Sequence, residues 1–447
     1  MKEEKKGKGV SRRDFFKIGA AGTIAAGALG PAFLFPERAA AQQKTLKILQ
    51  WSHFVPAWDE WFNKKYTVEW GQKNNTLVTV DNINLVDLPT RGKAEVAAKK
   101  GHDLFMFLSP PAAYESQVID MSHVYQEVEK KHGKKIDLAH KSTFNPKTKK
   151  YFAFSDAYTP DPGNYHREWW GEAGFPNGPD TYDDLRAGAK KIRDKTGHPC
   201  GLGLSQELDT SMAMRAILWS FGGAEQDEHG NVTLNSKNTV EALKFMKALY
   251  QESETAEVFT WTPPSNNQAM LAGRVSYVAN AISITRQSER EHMPIDSKIG
   301  LVPAPKGPVR RISAEHVMNC YVIWEFAENK EGAQQFLIDY MDHFHDGFVA
   351  GQFYNFPCFP KTVPDLKNEI ATDPRSTPPD RYKVLGNVLD WATNVGYPGY
   401  ATAAIDEAFT TWVLPTMFAK VARGDETPEN AAAAAHKEYE RIFARFK

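Results

Sequence analysis

Thr45-Leu46-Lys47-Ile48-Leu49-Gln50-Trp51 alternates as a strand and runs directly into Ser52-His53-Phe54-Val55-Pro56. Residues 57–73 then carry helical spacing, 76–83 read as a strand, 88–100 as a helix, and Asp103-Leu104-Phe105-Met106-Phe107-Leu108 as a buried strand ending in Ser109-Pro110-Pro111. Strand, helix, strand, helix, strand with short connections predicts a parallel α/β sheet, because parallel neighbours need a crossover element between them. Ligands of such sheets sit beyond the carboxyl ends of the strands. The loops 52–58 and 109–113 are therefore expected to face one crevice.

Working outward, a second unit follows Tyr151 to Pro160. Helical patterns at 183–196, 211–221 and 240–251, with strands expected at 200–204, 275–280 and 298–303, continue the alternation. The last 90 residues read as mostly helical, ending in an Ala-rich helix at 430–446. Neither an internal repeat nor a long polar linker separates the units, which predicts short ordered crossings between them.

Upstream, Ser11-Arg12-Arg13-Asp14-Phe15-Phe16-Lys17 precedes a Gly/Ala-rich apolar stretch from Ile18 to Phe35 and then Ala39-Ala40-Ala41-Gln42. Basic region, apolar region and small-residue site are the parts of an export signal, and the paired arginines resemble the twin-arginine type. Residues 1–41 are read as this leader, cleaved after Ala41. A membrane anchor is the alternative, disfavoured because Gly and Pro31 punctuate a short, weakly apolar run. Removing 8 basic and 4 acidic residues leaves 46 basic against 51 acidic, a mature charge of 46 − 51 = −5. That balance suits a soluble protein and offers no field for nucleic acid. Cys200, Cys320 and Cys358 stand far apart, allowing one bridge and a free thiol or three buried thiols.

Enzyme signatures are thin. Asp342-His343-Phe344-His345-Asp346 places residues two apart, which do not share a helix face. A Gly-x-Ser-x-Gly elbow and His-x-x-x-His zinc spacing are absent. The expectation is a binding protein with no cofactor or metal; an exported carbohydrate-active enzyme is the alternative.

Several segments together resemble the solute-binding proteins of ABC importers, in the family that includes maltose-binding protein. They are Leu46 to Trp51 with Asp103-Leu104-Phe105; Tyr165 to Phe175 leading to Thr181-Tyr182-Asp183-Asp184-Leu185; Phe221-Gly222-Gly223-Ala224 with Gly230 to Ser236; Met270 to Ser276; Gly300 to Gly307; and Asn329-Lys330-Glu331-Gly332-Ala333. Their order covers nearly all of the mature chain. Tyr165-His166 departs from the family's common Tyr-Asn. The resemblance implies a two-lobed α/β periplasmic-binding fold of type II, with three interlobe crossings: residues 42–155 plus 314–357 in one lobe, 156–313 plus 358–447 in the other. It also implies a monomeric periplasmic receptor that captures a sugar or polyol by hinge closure and delivers it to a membrane permease.

Candidate ligand contacts follow from strand ends and crossings. His53 can exchange hydrogen bonds with hydroxyls, while Phe54 and Trp58 either cover a sugar ring or pack in the core. Ser109 and Pro110 end the third strand, and Asp156 and Tyr158 lie in the expected first crossing. Gln206, Glu207 and Asp209 follow the strand expected at 200–204. Asn280 follows another strand, where Ala281-Ile282 replace the aromatic that relatives carry, and His316 lies where the chain re-enters the first lobe. Tyr397 and Tyr400 are cleft or packing residues in the loop Gly396 to Tyr400.

Overall fold

The computed structural model describes residues 43–446; the expected leader lies outside the described residues. Around the opening strand the sheet order is Cys320–Ile323, Leu104–Phe107, Lys44–Trp51, Thr76–Ile83. Lys44–Trp51 pairs in parallel with both neighbours, Ile48 opposite Val80 on one side and Leu104 on the other, while Cys320–Ile323 closes the sheet antiparallel. Leu46, Ile48 and Leu49 are buried, as a strand covered on both faces requires. The expected helix over 57–73 is continuous but changes pitch: α-helical Pro56–Trp61, π-helical Phe62–Tyr66, then α-helical Thr67–Lys73. Its buried face stacks Trp58 on Phe62 and Trp61 on Tyr66.

The second lobe is built differently from the parallel sheet expected. Its sheet has three strands, with Gly163–His166 between Tyr277–Ala279 and Ile299–Val302, all antiparallel. Residues 200–204 are extended but join no ladder; Cys200, Gly201 and Leu204 donate singly to the carbonyls of Ser253, Tyr277 and Val258. The strand reading there is corrected: an apolar extended run can satisfy its backbone against loops as well as against a sheet. Helices Tyr182–Thr196, Leu208–Ser220, Lys237–Ser253 and Pro428–Phe443 cover this lobe.

Two hydrophobic cores support two lobes, one built chiefly from Leu46 to Tyr158 and Val317 to Ala392 and reaching Ala281, Ile282, Leu301 and Ala304, the other from Tyr165 to Val278, from Ile284, Ile299, Val302, Ile312 and Ala314, and from Val395 to Phe443. Residues 358–391 thus pack chiefly with the first core, which shifts the third crossing from the expected 357/358 to about 391–395. The reason is local: Cys358, Phe359, Val363, Ile370 and Leu385 are apolar, buried and continuous with Phe154 and Tyr158.

All three crossings lie side by side. The His316 N–H donates to the Thr159 carbonyl at 2.8 Å, Ser313 to Trp391 at 2.8 Å and Glu315 to Thr393 at 3.0 Å; Ser313–Ala314 pairs in parallel with Ala392–Thr393. A hinge made of three hydrogen-bonded single strands can twist while keeping its backbone satisfied. The three cysteines are buried and unpaired, and burial pushes their thiols well above the usual range.

Candidate functional site

Strand-end loops of the first lobe and loops and helix ends of the second open onto a groove of about 410 Å³, within the roughly 300–1,000 Å³ typical of small-molecule sites. The first lobe contributes Leu85 and Val86 after its second strand and Ser109 after its third; the second contributes Gln206, Glu207, Leu208, Trp261, Phe409 and Trp412. Helix Leu208–Ser220 begins here because Glu207, its N-cap, accepts from the Asp209 and Thr210 N–H groups. Trp412 sits between two helices with φ 59°, a left-handed conformation uncommon for a bulky side chain. Lys93 stands at the rim, exposed.

Beside the groove, at the hinge, lies a buried polar cluster. His316 Nδ1 donates to Asp161 at 3.0 Å, and its Nε2 lies 3.5 Å from Asp209. Desolvation opposes the charge on His316, yet Asp209 and Asp161 outweigh it and hold the ring protonated, pushed up to about 9. Burial raises Asp209, with His316 opposing, and burial plus the Asp209 charge raises Glu207. Asn266 donates to Asp209 at 2.6 Å, and Asn280 donates to Asn266 and Asn267 at 2.6 and 2.7 Å. This network ties the helix Ser265–Leu271, the strand end at Asn280 and the hinge together.

On the first lobe, His53 Nδ1 accepts from the Val55 N–H at 2.8 Å, so its proton resides on Nε2, which faces the Asn355 side-chain amide at 3.4 Å and donates to it when the amide is turned with its oxygen inward. Burial pushes the ring down to about 3 and keeps it neutral. Tyr354 meets His53 edge to face at 4.8 Å, and Trp58 stacks on the ring at 5.3 Å. The Tyr354 hydroxyl is buried without a hydrogen-bond partner. An unpaired hydroxyl, able to donate and to accept, beside a neutral imidazole suits a ligand or water with hydroxyl groups.

The structure brings Ser109, Glu207 and the neighbouring Gln206 to the groove, and it gathers Asp209, Asn280 and His316 into the hinge cluster. His53 lies behind Tyr354 and Asn355. Phe54 is half-buried and packs edge-on against Trp51 at 5.3 Å, Trp58 belongs to the core, and Pro110 is buried outside the groove lining. Four residues are placed elsewhere. Asp156 is fully buried in the first core, raised by burial to about 7, because the crossing begins only after Thr159. Tyr158 points from its strand into a separate cavity with Phe356 and Val363. Tyr397 takes a hydrogen bond from Arg310 and packs on Trp219, and Tyr400 packs on His140 and Phe144. Sequence reading missed Asp161, Trp261, Tyr354, Asn355 and Trp412. Two carried a signal: Asp161 between Pro160 and Pro162, and Trp412 after Thr410-Thr411 at a break between apolar helices.

Among the described residues no cluster of three metal-ligating side chains occurs, and no helix is long and apolar enough to cross a membrane. The fold is shared with maltose-bound MalE3 of T. maritima, at 20% identity and TM-score 0.74 over 89% of this chain and 99% of that one. An Arthrobacter chlorophenolicus A6 sugar transporter protein with bound laminaribiose gives 15% and 0.73, over 89% and 99%. A solute-binding protein of Agrobacterium radiobacter K84 with ribitol gives 19% and 0.70, over 89% and 98%. Among curated sequences, a Brucella abortus protein named as a binding protein is 26% identical over 175 residues, 39% of this chain; the match spans 42% of that relative's length. A "Probable ABC transporter-binding protein" of Deinococcus radiodurans is 27% identical over 142 residues, 30% of this chain and 34% of that one. The family model for bacterial extracellular solute-binding proteins matches residues 51–341, well over half of the sequence, and the chain belongs to that family.

Proposed function

We propose that this protein is the receptor of an ABC importer, capturing a small neutral sugar or polyol between its lobes and passing it to a membrane permease. The observation that carries this reading is the groove between the two lobes, lined by strand-end loops of the first and by loops and helix ends of the second. Its Trp261 and Trp412 indoles can cover an apolar sugar face, and Ser109, Gln206 and Glu207 can exchange hydrogen bonds with hydroxyls. Maltose, laminaribiose and ribitol in structural neighbours support the ligand class. The receptor acts as a monomer in the periplasm, exported through the twin-arginine leader at residues 1–41. It binds without turnover: the groove and hinge cluster present no nucleophile activated by a base, and the family is one of transport receptors.

A thermal-shift screen with maltose, laminaribiose, ribitol and a wider sugar and polyol panel tests the reading. A ligand at 100 times its dissociation constant adds about 2.7 kcal/mol of stability. A panel without any shift, or binding confined to anionic compounds, would sink the neutral-ligand proposal. Sustained product release from any glycan would favour the exported carbohydrate-active enzyme instead. Export is tested by fusing residues 1–41 to a reporter; secretion that survives replacing Arg12 and Arg13 by Lys would reject the twin-arginine route.

A further inference from the structure

Two adjacent side-chain-bearing residues, Gln352 and Phe353, hold left-handed backbone conformations, with φ 53° and 66°. Neither is glycine, so the turn is disfavoured locally and must be imposed by its surroundings. It delivers the next two residues, Tyr354 and Asn355, against His53.

Two arginines meet this turn: Arg375, whose guanidinium lies 5.3 Å from the centre of the Phe353 ring, and Arg286 of the helix Ser283–Arg290, which alone of the two bonds to the turn's backbone. Arg286 is fully buried; its Nε donates to the Gln352 carbonyl at 2.8 Å, and its guanidinium lies 5.4 Å from the centre of the Phe353 ring. The guanidinium is itself fixed. Nη1 donates to Glu289 and Asp373, both at 2.8 Å, and the plane rests on Tyr382 at 3.8 Å. The planar fork of arginine suits a site that needs one donor aimed at a carbonyl and another at carboxylates. The same helix starts at Ser283, whose hydroxyl accepts from Asn267 of the hinge cluster at 3.0 Å.

We infer that Arg286 is a positioning residue: it pins the Gln352–Phe353 turn and thereby holds Tyr354 and Asn355 against His53, linking the Asn267–Asn280 side of the hinge cluster to the His53 side. The functional weight of this link rests on the reading of the cleft as the solute site. The positioning itself does not, and is measured without ligand.

Hydrogen exchange on the mature protein tests it. The Phe353 and Tyr354 amides donate to Phe348 and Gly351 inside the turn and are protected when the turn is held. Arg286→Met should speed their exchange at least tenfold relative to the helix Tyr182–Thr196, and should shift the His53 ring signals in NMR as Tyr354 leaves. Gln352→Gly added to Arg286→Met should restore both readouts, because glycine adopts positive φ without help; a residue needed only for the stability of the ion network gains nothing from that glycine. Arg286→Lys, which keeps the charge and loses the fork, should fall between wild type and Met and serves if the Met protein fails to fold. Exchange within twofold of wild type in Arg286→Met, or in Arg286→Lys where that variant stands in, would overturn the inference. So would loss of protection spread evenly over both lobes and not reversed by Gln352→Gly. Failure of every sugar to bind would sink the neutral-ligand proposal and leave this result standing.

Discussion

Trp412 carries a cost and a role at the same position. Its left-handed backbone is disfavoured for a side chain by roughly 1 kcal/mol or more, and its indole lines the groove 6.1 Å from Phe409. Trp412→Ala and Trp412→Gly should both weaken binding of the sugar found by screening about tenfold, or ~1.4 kcal/mol, in calorimetry. They should differ in stability, with Gly above Ala by about 1 kcal/mol in thermal unfolding, since only glycine relieves the backbone. Equal stabilities would remove the strain from the account. Of the residues around the cleft, Ser109, Glu207 and Asp209 were legible in the sequence because position after an apolar run is a local property. Trp412 left only the break between two apolar helices as a trace, because its backbone conformation is set by the two helices it separates.

At the scale of elements, the helix Tyr182–Thr196 shows a boundary written in sequence. Thr181 accepts from the Asp184 N–H at 3.0 Å while the Asp184 carboxylate accepts from the Thr181 N–H at 3.0 Å, a reciprocal cap that satisfies two otherwise orphaned donors. Thr181→Ala should cost about 1 kcal/mol in denaturant unfolding without altering ligand affinity. The helix Ala403–Thr410 shows the opposite case. Its Asp406 reaches the other lobe and accepts from the Ala113 N–H at 2.9 Å, and burial raises the carboxyl to about 7. Losing that bond should favour the open form by up to about 1.5–3 kcal/mol. Asp406→Ala is accordingly expected to show a larger radius of gyration than wild type in small-angle scattering without ligand. Identical scattering would mean that this contact does not hold the lobes together. A cap needs residues three apart, whereas a partner 293 positions away leaves no local trace.

The pH behaviour of the whole molecule comes from buried ionisable groups, two of them in the hinge. Glu315, in the second crossing, is fully buried; it accepts from the Val395 N–H of the third crossing at 3.3 Å, and burial raises it to about 8 with Arg215 only partly opposing. A carboxyl raised from its usual value near 4 is most compatible with the fold while protonated, so stability falls as pH climbs from about 4 towards 8. His316, raised to about 9, stabilises fully below about 6.5 and loses that contribution as pH passes 9. The two act in the same direction, and Asp156 and Glu254, raised to about 7 and 8 by burial, add to it. Calorimetric midpoints should therefore decline from pH 6 to pH 9. Glu315→Gln keeps a group able to accept from Val395 and cannot ionise, so its midpoint should match wild type at pH 5 and exceed it at pH 9. Parallel profiles for the two proteins would exclude Glu315 from the effect.

Hydrophobic periodicity and short connections determined the three parallel strands of the first sheet, most helices and the two-unit architecture, because burial of a strand or a helix face leaves its period in the chain, whereas the antiparallel strand Cys320–Ile323 joined only through tertiary contact. Position after an apolar extended run is local, and it marks the loops that carry Ser109, Glu207, Asp209 and Asn280. Tertiary structure alone decided the antiparallel second sheet, the third crossing near Trp391, and the withdrawal of Asp156 into the first core. Each of these depends on which distant segment meets a given apolar run, and residues 200–204 satisfy their backbone from three separate places in the chain. Asp161, His316 and Asp209 meet only because the crossings bring them side by side, a juxtaposition that no window of sequence contains.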